Sequence, residues 1–407
     1  MYADHPTTSA DTPVVLSLGM GIDSVAILVH WILNPASRSF PLHRLVCITA
    51  MTGEEHDRTG ELMERHVLPL MREHNIRYVQ LSRAGQAAHH RYSVLSDTRS
   101  PRLMHMRGPW RLSHEMRSGG TLPSVRNGRR WCSERAKGEV LDWWVNDNMP
   151  SGYTHVVGFA AEERRRALRD TAARTEKQAT GKTVACVPSY PLLDQWQWDR
   201  TACAEYLRKI FGEPFPRSCC RWCPFTGATA GSRPELLQRW RQQPDAAADA
   251  IELEYTALAL NPRIGAFGVG KTAIDLAREH DLTDAVAIAE QRIEAAEVWD
   301  VLEIRRIFLA KDQDPRRKGD AWRSVQVAAT GSRSALLEWL ARLDNGGQRN
   351  TDQYGITRLW RRRLPGPQEI SYPATEWLWV LVPHGVQPKK RPGFEERWTN
   401  LHAATLF

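Results

Sequence analysis

The chain has 407 residues, 42% hydrophobic and 25% charged, with a formal net charge of +8. That length buries a full core and predicts one large and one small unit, while the longest apolar runs fall far below the ~20 residues of a membrane span. Seven cysteines are too few for a disulfide scaffold, and Met1 to Thr12 lacks the apolar stretch of a secretion signal, so a cytoplasmic protein without a membrane partner is expected.

In chain order, the first half alternates strand-like and helix-like patterns, which predicts a parallel sheet covered by helices. Strands are expected from Val14 to Ser17, Leu45 to Ala50, Ile76 to Leu81, Thr154 to Val157 and near Thr183 to Val187. Helices are expected from Asp23 to Leu33, Thr59 to His74, Ser133 to Asn146 and Asp199 to Phe211. Ser82 to Arg130 reads as a long active-site loop with short helices. After Gly227 the pattern turns helical, at Pro234 to Arg241, Asp245 to Leu258, Ala273 to His280 and Asp284 to Leu309. Lys311 to Gly319 reads as a linker to a short Trp-rich unit. From residue 315 on, 15 Lys and Arg against 8 Asp and Glu leave +7, a local excess that suits a polyanionic partner.

The most informative stretch runs from Val14 to Leu28, where an apolar strand enters a Ser/Gly turn and then an apolar helix. Glycines let the main chain approach an anion, the helix start offers unpaired amides, and Ser17 and Ser24 add hydroxyls. The competing reading is a tight strand-to-helix connection that needs glycine for its dihedrals. The order of Ser17, Gly19, Gly21, Asp23 and Ser24 resembles the PP-loop of the adenine nucleotide alpha hydrolase superfamily, whose usual pattern is Ser-Gly-Gly-x-Asp-Ser. Ser17, Gly21, Asp23 and Ser24 match it; Met20 stands where its first Gly is expected, and Ile22 replaces a common Lys.

Three later segments resemble the phosphoadenosine phosphosulfate (PAPS) reductase-like branch of that superfamily. Thr52 and Gly53, with Thr59 downstream, are similar to its Asp-Thr-Gly segment; a solvated acidic helix start is the alternative. Gly158, Glu163 and Arg166 match its Gly-x-Arg, acidic, Arg segment, with Arg164 nearby, and guanidiniums suit bidentate phosphate contact. Cys132 at a helix start, followed by Cys219, Cys220 and Cys223, is similar to the cluster-bearing reductases and DNA phosphorothioation sulfurtransferases. Thiolates at this spacing suit a 4Fe-4S iron-sulfur cluster, with structural zinc or inert buried thiols as alternatives. Cys47, Cys186 and Cys203 read as core residues.

The resemblance implies an α/β, Rossmann-like PP-loop catalytic domain over 13–228, a helical extension over 229–310 and the basic unit over 315–407. It implies binding of an adenine nucleotide by Ser17, Gly19, Gly21, Asp23, Ser24, Thr52, Gly53, Gly158, Arg164 and Arg166. Asp23, Ser24, Cys132 and Arg166 would be catalytic, with ATP and Mg2+ as cofactors and Cys132, Cys219, Cys220 and Cys223 as metal ligands. Gly265 to Thr272 also spells Gly-x4-Gly-Lys-Thr, but no strand pattern precedes it, and a turn before a helix is expected there.

The resulting expectation is an enzyme that activates an acceptor by adenylation, for iron-sulfur-dependent sulfur transfer to DNA or tRNA. A cysteine desulfurase or another sulfur donor would be a partner. Sulfonucleotide reduction is the alternative, but the tail cysteine such reductases use is missing, since no cysteine follows Cys223. A non-catalytic, zinc-containing nucleotide sensor that binds nucleic acid is a further alternative. Arg358 to Arg363 and Lys389 to Arg391, interleaved with Trp322, Trp339, Trp377, Trp379 and Trp398, are the candidate nucleic-acid surface.

Overall fold

Val14–Ser17 (β1) has no polar face: Val14 and Leu16 pack into one apolar layer and Val15 into another. Such a strand belongs in the middle of a sheet covered on both sides. The computed structural model describes residues 12–126, 129–268, 270–346, 348–366 and 369–403. In it, Leu45–Met51 (β2) and Arg77–Arg83 (β3) extend the sheet from β1 in parallel, and Tyr92–Thr98 (β4) adds an antiparallel edge. Tyr153–Val156 (β5) and Cys186–Ser189 (β6) extend the other side in parallel, so the order is β4-β3-β2-β1-β5-β6. The fold is therefore α/β with a mostly parallel six-stranded sheet, compatible with a Rossmann-like unit. The order reverses between β1 and β5, and open α/β sheets place ligands beyond the carboxyl ends of strands at such a switch point.

Ile22–Leu33 (α1) covers one face, and its residues share a core with Leu192, Cys203 and Leu207. Asp57–Leu62 (α2) runs on through a π turn at Met63–Val67 into Leu68–Glu73; a wider turn just before Pro69 suits a residue that has no amide to donate. Glu139–Asn148 (α3) covers the opposite face with Val140, Trp144 and Val145. Arg164–Ala179 (α4) and Arg200–Phe211 (α5) complete the helices used below. Cys47, Cys186 and Cys203 are buried, as expected.

Compactness divides the chain into two units, one gathering residues up to Glu115 with Ser124–Arg221, the other Met116–Pro123 with everything from Trp222 onward. The second contains Arg233–Gln242 (α6), Pro244–Leu260 (α7), Ala273–Glu279 (α8), Thr283–Glu294 (α9) and an antiparallel sheet. Its strands are Trp299–Lys311 (β7), Asp314–Gly331 (β8), Arg349–Thr351 (β9), Thr357–Arg362 (β10), Ala374–Pro383 (β11) and Lys389–Lys390 (β12), in the order β9-β10-β11-β7-β8-β12. Two expectations are corrected here. The helix expected from Asp284 to Leu309 ends at Glu294, and the linker expected over 311–319 is a hairpin turn followed by strand. The central strand β7 is buried on both faces, so it lacks the alternation that betrays a strand. Its turn residues Asp312 and Gln313 have φ of 53° and 60°, the two left-handed positions of a type I′ hairpin.

The Gly-x4-Gly-Lys-Thr stretch follows helix α7 rather than a strand and leads into α8, as expected of a simple turn; Val269 within it lies outside the described residues. Glu254 fills this loop, accepting the Ala266 amide at 2.6 Å and the Ala273 amide. Burial pushes the Glu254 carboxyl up to about 7, against backbone hydrogen bonds that lower it. The folded second unit thus holds a proton more tightly than the unfolded chain does. Its stability should fall as pH rises from ordinary carboxylate values through about 7. Thermal melting of the wild type and Glu254→Gln across pH 4.5–8 reads this, and the variant should lose that slope.

Candidate functional site

The loop after β1 is anchored to β2. The Leu18 amide donates to Ile48 O at 2.8 Å, and Thr49 Oγ1 donates to Leu18 O at 2.6 Å. Met20 follows in the left-handed region, at φ 59°, with its side chain wholly buried. The Gly19 amide donates to Ser24 Oγ at 3.1 Å, so the Ser24 hydroxyl closes the loop onto the first turn of α1. Gly21 caps that helix with no side-chain hydrogen bond. At the end of β1, Ser17 Oγ lies 2.7 Å from His155 Nε2 on β5. Burial, and then the charge of Arg174, hold His155 well below its usual range, so the ring is neutral.

Two glycines bring other backbone segments against this loop. A Cβ on Gly158, just beyond β5, would lie 2.9 Å from Ser24 N and 3.1 Å from Asp23 C. A Cβ on Gly21 would lie 2.9 Å from Ser218 Oγ and 3.3 Å from Ser218 N. Gly19 has open space around it, with Ser24 Oγ 4.0 Å away. Between these approaches sits Asp23. Arg200 Nε is 3.7 Å from Asp23 Oδ2, but Asp23 Oδ1 is buried without a hydrogen-bond partner. Burial pushes the Asp23 carboxyl up to about 6; Arg200 and Arg217 oppose the shift, while Glu163 and Glu162 add to it. Asp199 positions Arg200, since its side chain caps α5 by accepting the Ala202 amide at 2.7 Å.

The second predicted segment makes a nest of amides that is already filled. Glu55 Oε1 accepts from Thr52 N at 2.9 Å and Thr52 Oγ1 at 2.8 Å, and Oε2 accepts from Gly53 N at 3.0 Å and Glu54 N at 3.1 Å. The cysteine loop docks on the same turn. The Arg221 amide donates to Glu54 O at 2.8 Å, Glu55 and Cys220 form a β-bridge, and Cys220 Sγ is 3.7 Å from Thr52 Oγ1.

The structure thus brings together Ser17, Gly19, Gly21, Asp23, Ser24 and Gly158, and places Cys220 beside Thr52, while Gly53 donates to Glu55. Arg164 and Arg166 are exposed at the start of α4; Arg166 bonds Glu163 and lies 5.0 Å over the Phe159 ring. Cys132 is buried in its own short helix, Trp131–Ser133, while Cys219 and Cys220 are partly exposed. Cys223 falls in the second unit. Among the described residues no group of three or more His, Cys, Asp or Glu side chains is placed to hold a metal ion. His155, Arg200, Arg217 and Ser218 are functional candidates that sequence reasoning missed. Each reaches the loop from a distant segment, and only the Asp199 cap before Arg200 left a local signal.

The fold and this loop define an α/β protein with a glycine-rich strand-to-helix turn at a sheet switch point. Comparison with protein-family models, curated proteins and solved structures returned no match for this chain. Among the described residues no helix is long and apolar enough to cross a membrane.

The glycine geometry predicts an asymmetric response. Gly158→Ala should cost about 1–3 kcal/mol of stability, because the obstructing atoms are backbone. Gly19→Ala should stay within about 0.5 kcal/mol of wild type. Chemical denaturation of both variants checks this.

Proposed function

We propose that the first unit binds an adenine nucleotide at the Ser17–Ser24 loop and cleaves its alpha-beta phosphate bond to adenylate an acceptor, for sulfur transfer to nucleic acid. One contrast carries the reading. The turns at Thr52 and Gly265 are each filled by a carboxylate of the chain itself, whereas the start of α1 has no side-chain cap and keeps a buried carboxylate oxygen without a partner. An uncapped helix start at a switch point is where physics favours an anion.

In this reading the amides of Ile22 to Ser24 hold the phosphates and Ser17 adds a hydroxyl, its orientation set by neutral His155. Arg200 and Arg217 offset charge on the leaving pyrophosphate, with Arg164 and Arg166 at the rim. The acceptor oxygen attacks the alpha phosphorus, the bond to the bridging oxygen breaks, and pyrophosphate departs with that electron pair. Asp23 fits Mg2+, since a dication would neutralise a buried carboxylate that burial otherwise protonates. Bound there, Mg2+ supplies charge neutralisation at the phosphates.

Cys220, partly exposed beside Thr52, is the thiol best placed for sulfur chemistry, and Cys132 is the buried second candidate. In this reading Cys132, Cys219, Cys220 and Cys223 would carry an iron-sulfur cluster, with zinc as the alternative. Iron, sulfide and zinc analysis of anaerobically purified protein tests it: iron with matching sulfide is expected, and a colourless, zinc-loaded protein overturns it.

Incubation with ATP, Mg2+ and either tRNA or DNA should release AMP and pyrophosphate in equal amounts. ADP with phosphate, or binding without turnover, overturns the reading. Asp23→Asn should abolish nucleotide binding yet raise stability at pH 7–8 by about 1–3 kcal/mol, because a carboxyl with a raised pKa destabilises the fold once ionised. Wild-type nucleotide affinity should rise between pH 5 and 7, with a midpoint near the Asp23 value of about 6. Isothermal titration and thermal melting read both effects.

A further inference from the structure

The second unit holds a cavity of about 850 Å³, built wholly from its own residues and within the size range of small-molecule sites. Its charge is unbalanced. Arg263, Lys318, Arg358 and Arg363 line it against the carboxylates of Asp352 and Glu376, which leaves two positive charges uncompensated. Glu376, 1% exposed, already serves two guanidiniums: Arg263 binds it through both nitrogens at 3.2 Å, and buried Arg306 bonds it as well.

Not all of these cations are free to meet a ligand. Arg358 is committed to Asp352 Oδ2 at 2.6 Å and to the carbonyls of Leu258 and Ala259. Lys318 and Arg363 are exposed and rest on rings, Lys318 Nζ 4.5 Å from the Phe308 centroid and Arg363 Cζ 5.2 Å from that of Trp360. Burial, and then the guanidiniums of Arg263 and Arg306, lower the Lys318 pKa, so an anion entering here would relieve repulsion. Two donors in this region are buried without a hydrogen-bond partner: Trp360 Nε1, on a lining residue, and Arg306 Nη2. Unmet buried donors of this kind are costly, so a ligand supplying acceptors here would relieve them.

The cationic excess calls for an anion, and the lining rings call for a flat apolar group. Phe308 and Trp360 already carry cations, and the Tyr354 hydroxyl donates to Asp275 at 2.8 Å. Half-buried Tyr372 is the remaining lining ring. We propose that this cavity binds a nucleoside phosphate, its phosphate held by Lys318 and Arg363 and its base stacked on Tyr372. A free mononucleotide and a nucleotide within a single strand present the same groups.

The test uses the full chain carrying Asp23→Asn, so that nucleotide binding at the first unit cannot contribute and failure of that reading leaves this one exposed to its own result. AMP, a 5′-phosphorylated single-stranded oligothymidylate and inorganic phosphate are titrated separately. AMP or the oligonucleotide should bind, and the pair Lys318→Glu with Arg363→Glu should weaken binding about tenfold or more. Tyr372→Ala should weaken the nucleotide and leave inorganic phosphate unaffected. Preference for the oligonucleotide, with a steeper salt dependence, identifies the strand as the source; preference for AMP identifies the free nucleotide. The proposal is overturned if neither binds, if inorganic phosphate binds as tightly as AMP, or if the double variant keeps full affinity. Should charge reversal lower the melting temperature, Lys318→Gln with Arg363→Gln replaces it.

Discussion

The start of helix α1 is held between two close approaches at glycines, Gly158 against the backbone of Asp23 and Ser24 and Gly21 against the Ser218 hydroxyl. A Cβ on Gly158 would meet backbone and force a shift there, whereas one on Gly21 would chiefly displace the Ser218 hydroxyl. The close fit has an electrostatic consequence: it buries the Asp23 carboxylate beside helix amides that no side chain caps. Arg200 and Arg217 are then drawn into the field of Asp23 from distant parts of the chain. Packing therefore decides where charge sits in this unit.

The same physics explains why similar turns have different uses. A glycine turn that exposes several amides is an anion site by default, and the chain satisfies two of its own with Glu55 and Glu254. Those carboxylates fix their loops and remove them from competition for ligands. The Gly-x4-Gly-Lys-Thr letters around Lys271 are thus structural, a distinction that no motif match could draw. What separates the first loop is that its own acid, Asp23, keeps one oxygen without a hydrogen-bond partner.

Much of the first unit was legible because its strands are short apolar runs bounded by turn residues, and β1, β2 and α1 lie within two residues of expectation. The antiparallel edge β4 was not, since Tyr92–Thr98 is half-exposed and polar and reads as loop. In the second unit, β7 follows an Ala- and Glu-rich helix with no strong breaker, and its two-sided burial erases the period-two signal. Its turn, Asp312-Gln313, adopts left-handed dihedrals without the glycine that announces them. At the site, local residues of the loop were readable, whereas His155, Arg200 and Arg217 act across 138 or more positions of sequence from Ser17. Such contacts belong to the topology and leave no local pattern.

Met20 and Ile22, the two departures of the first loop from the pattern it resembles, have different physical meanings. Met20 adopts the left-handed conformation that glycine would take freely, at a cost of about 1–2 kcal/mol. Its fully buried side chain contributes about 1.5–3 kcal/mol in return, so packing maintains the loop path without the glycine. Ile22 is 5% exposed and belongs to the core under β1. A cation at that position would be buried in apolar surroundings. Arg200 and Arg217 act on Asp23 from α5 and the thiol loop, so the positive charge around this loop comes from the segments packed on it.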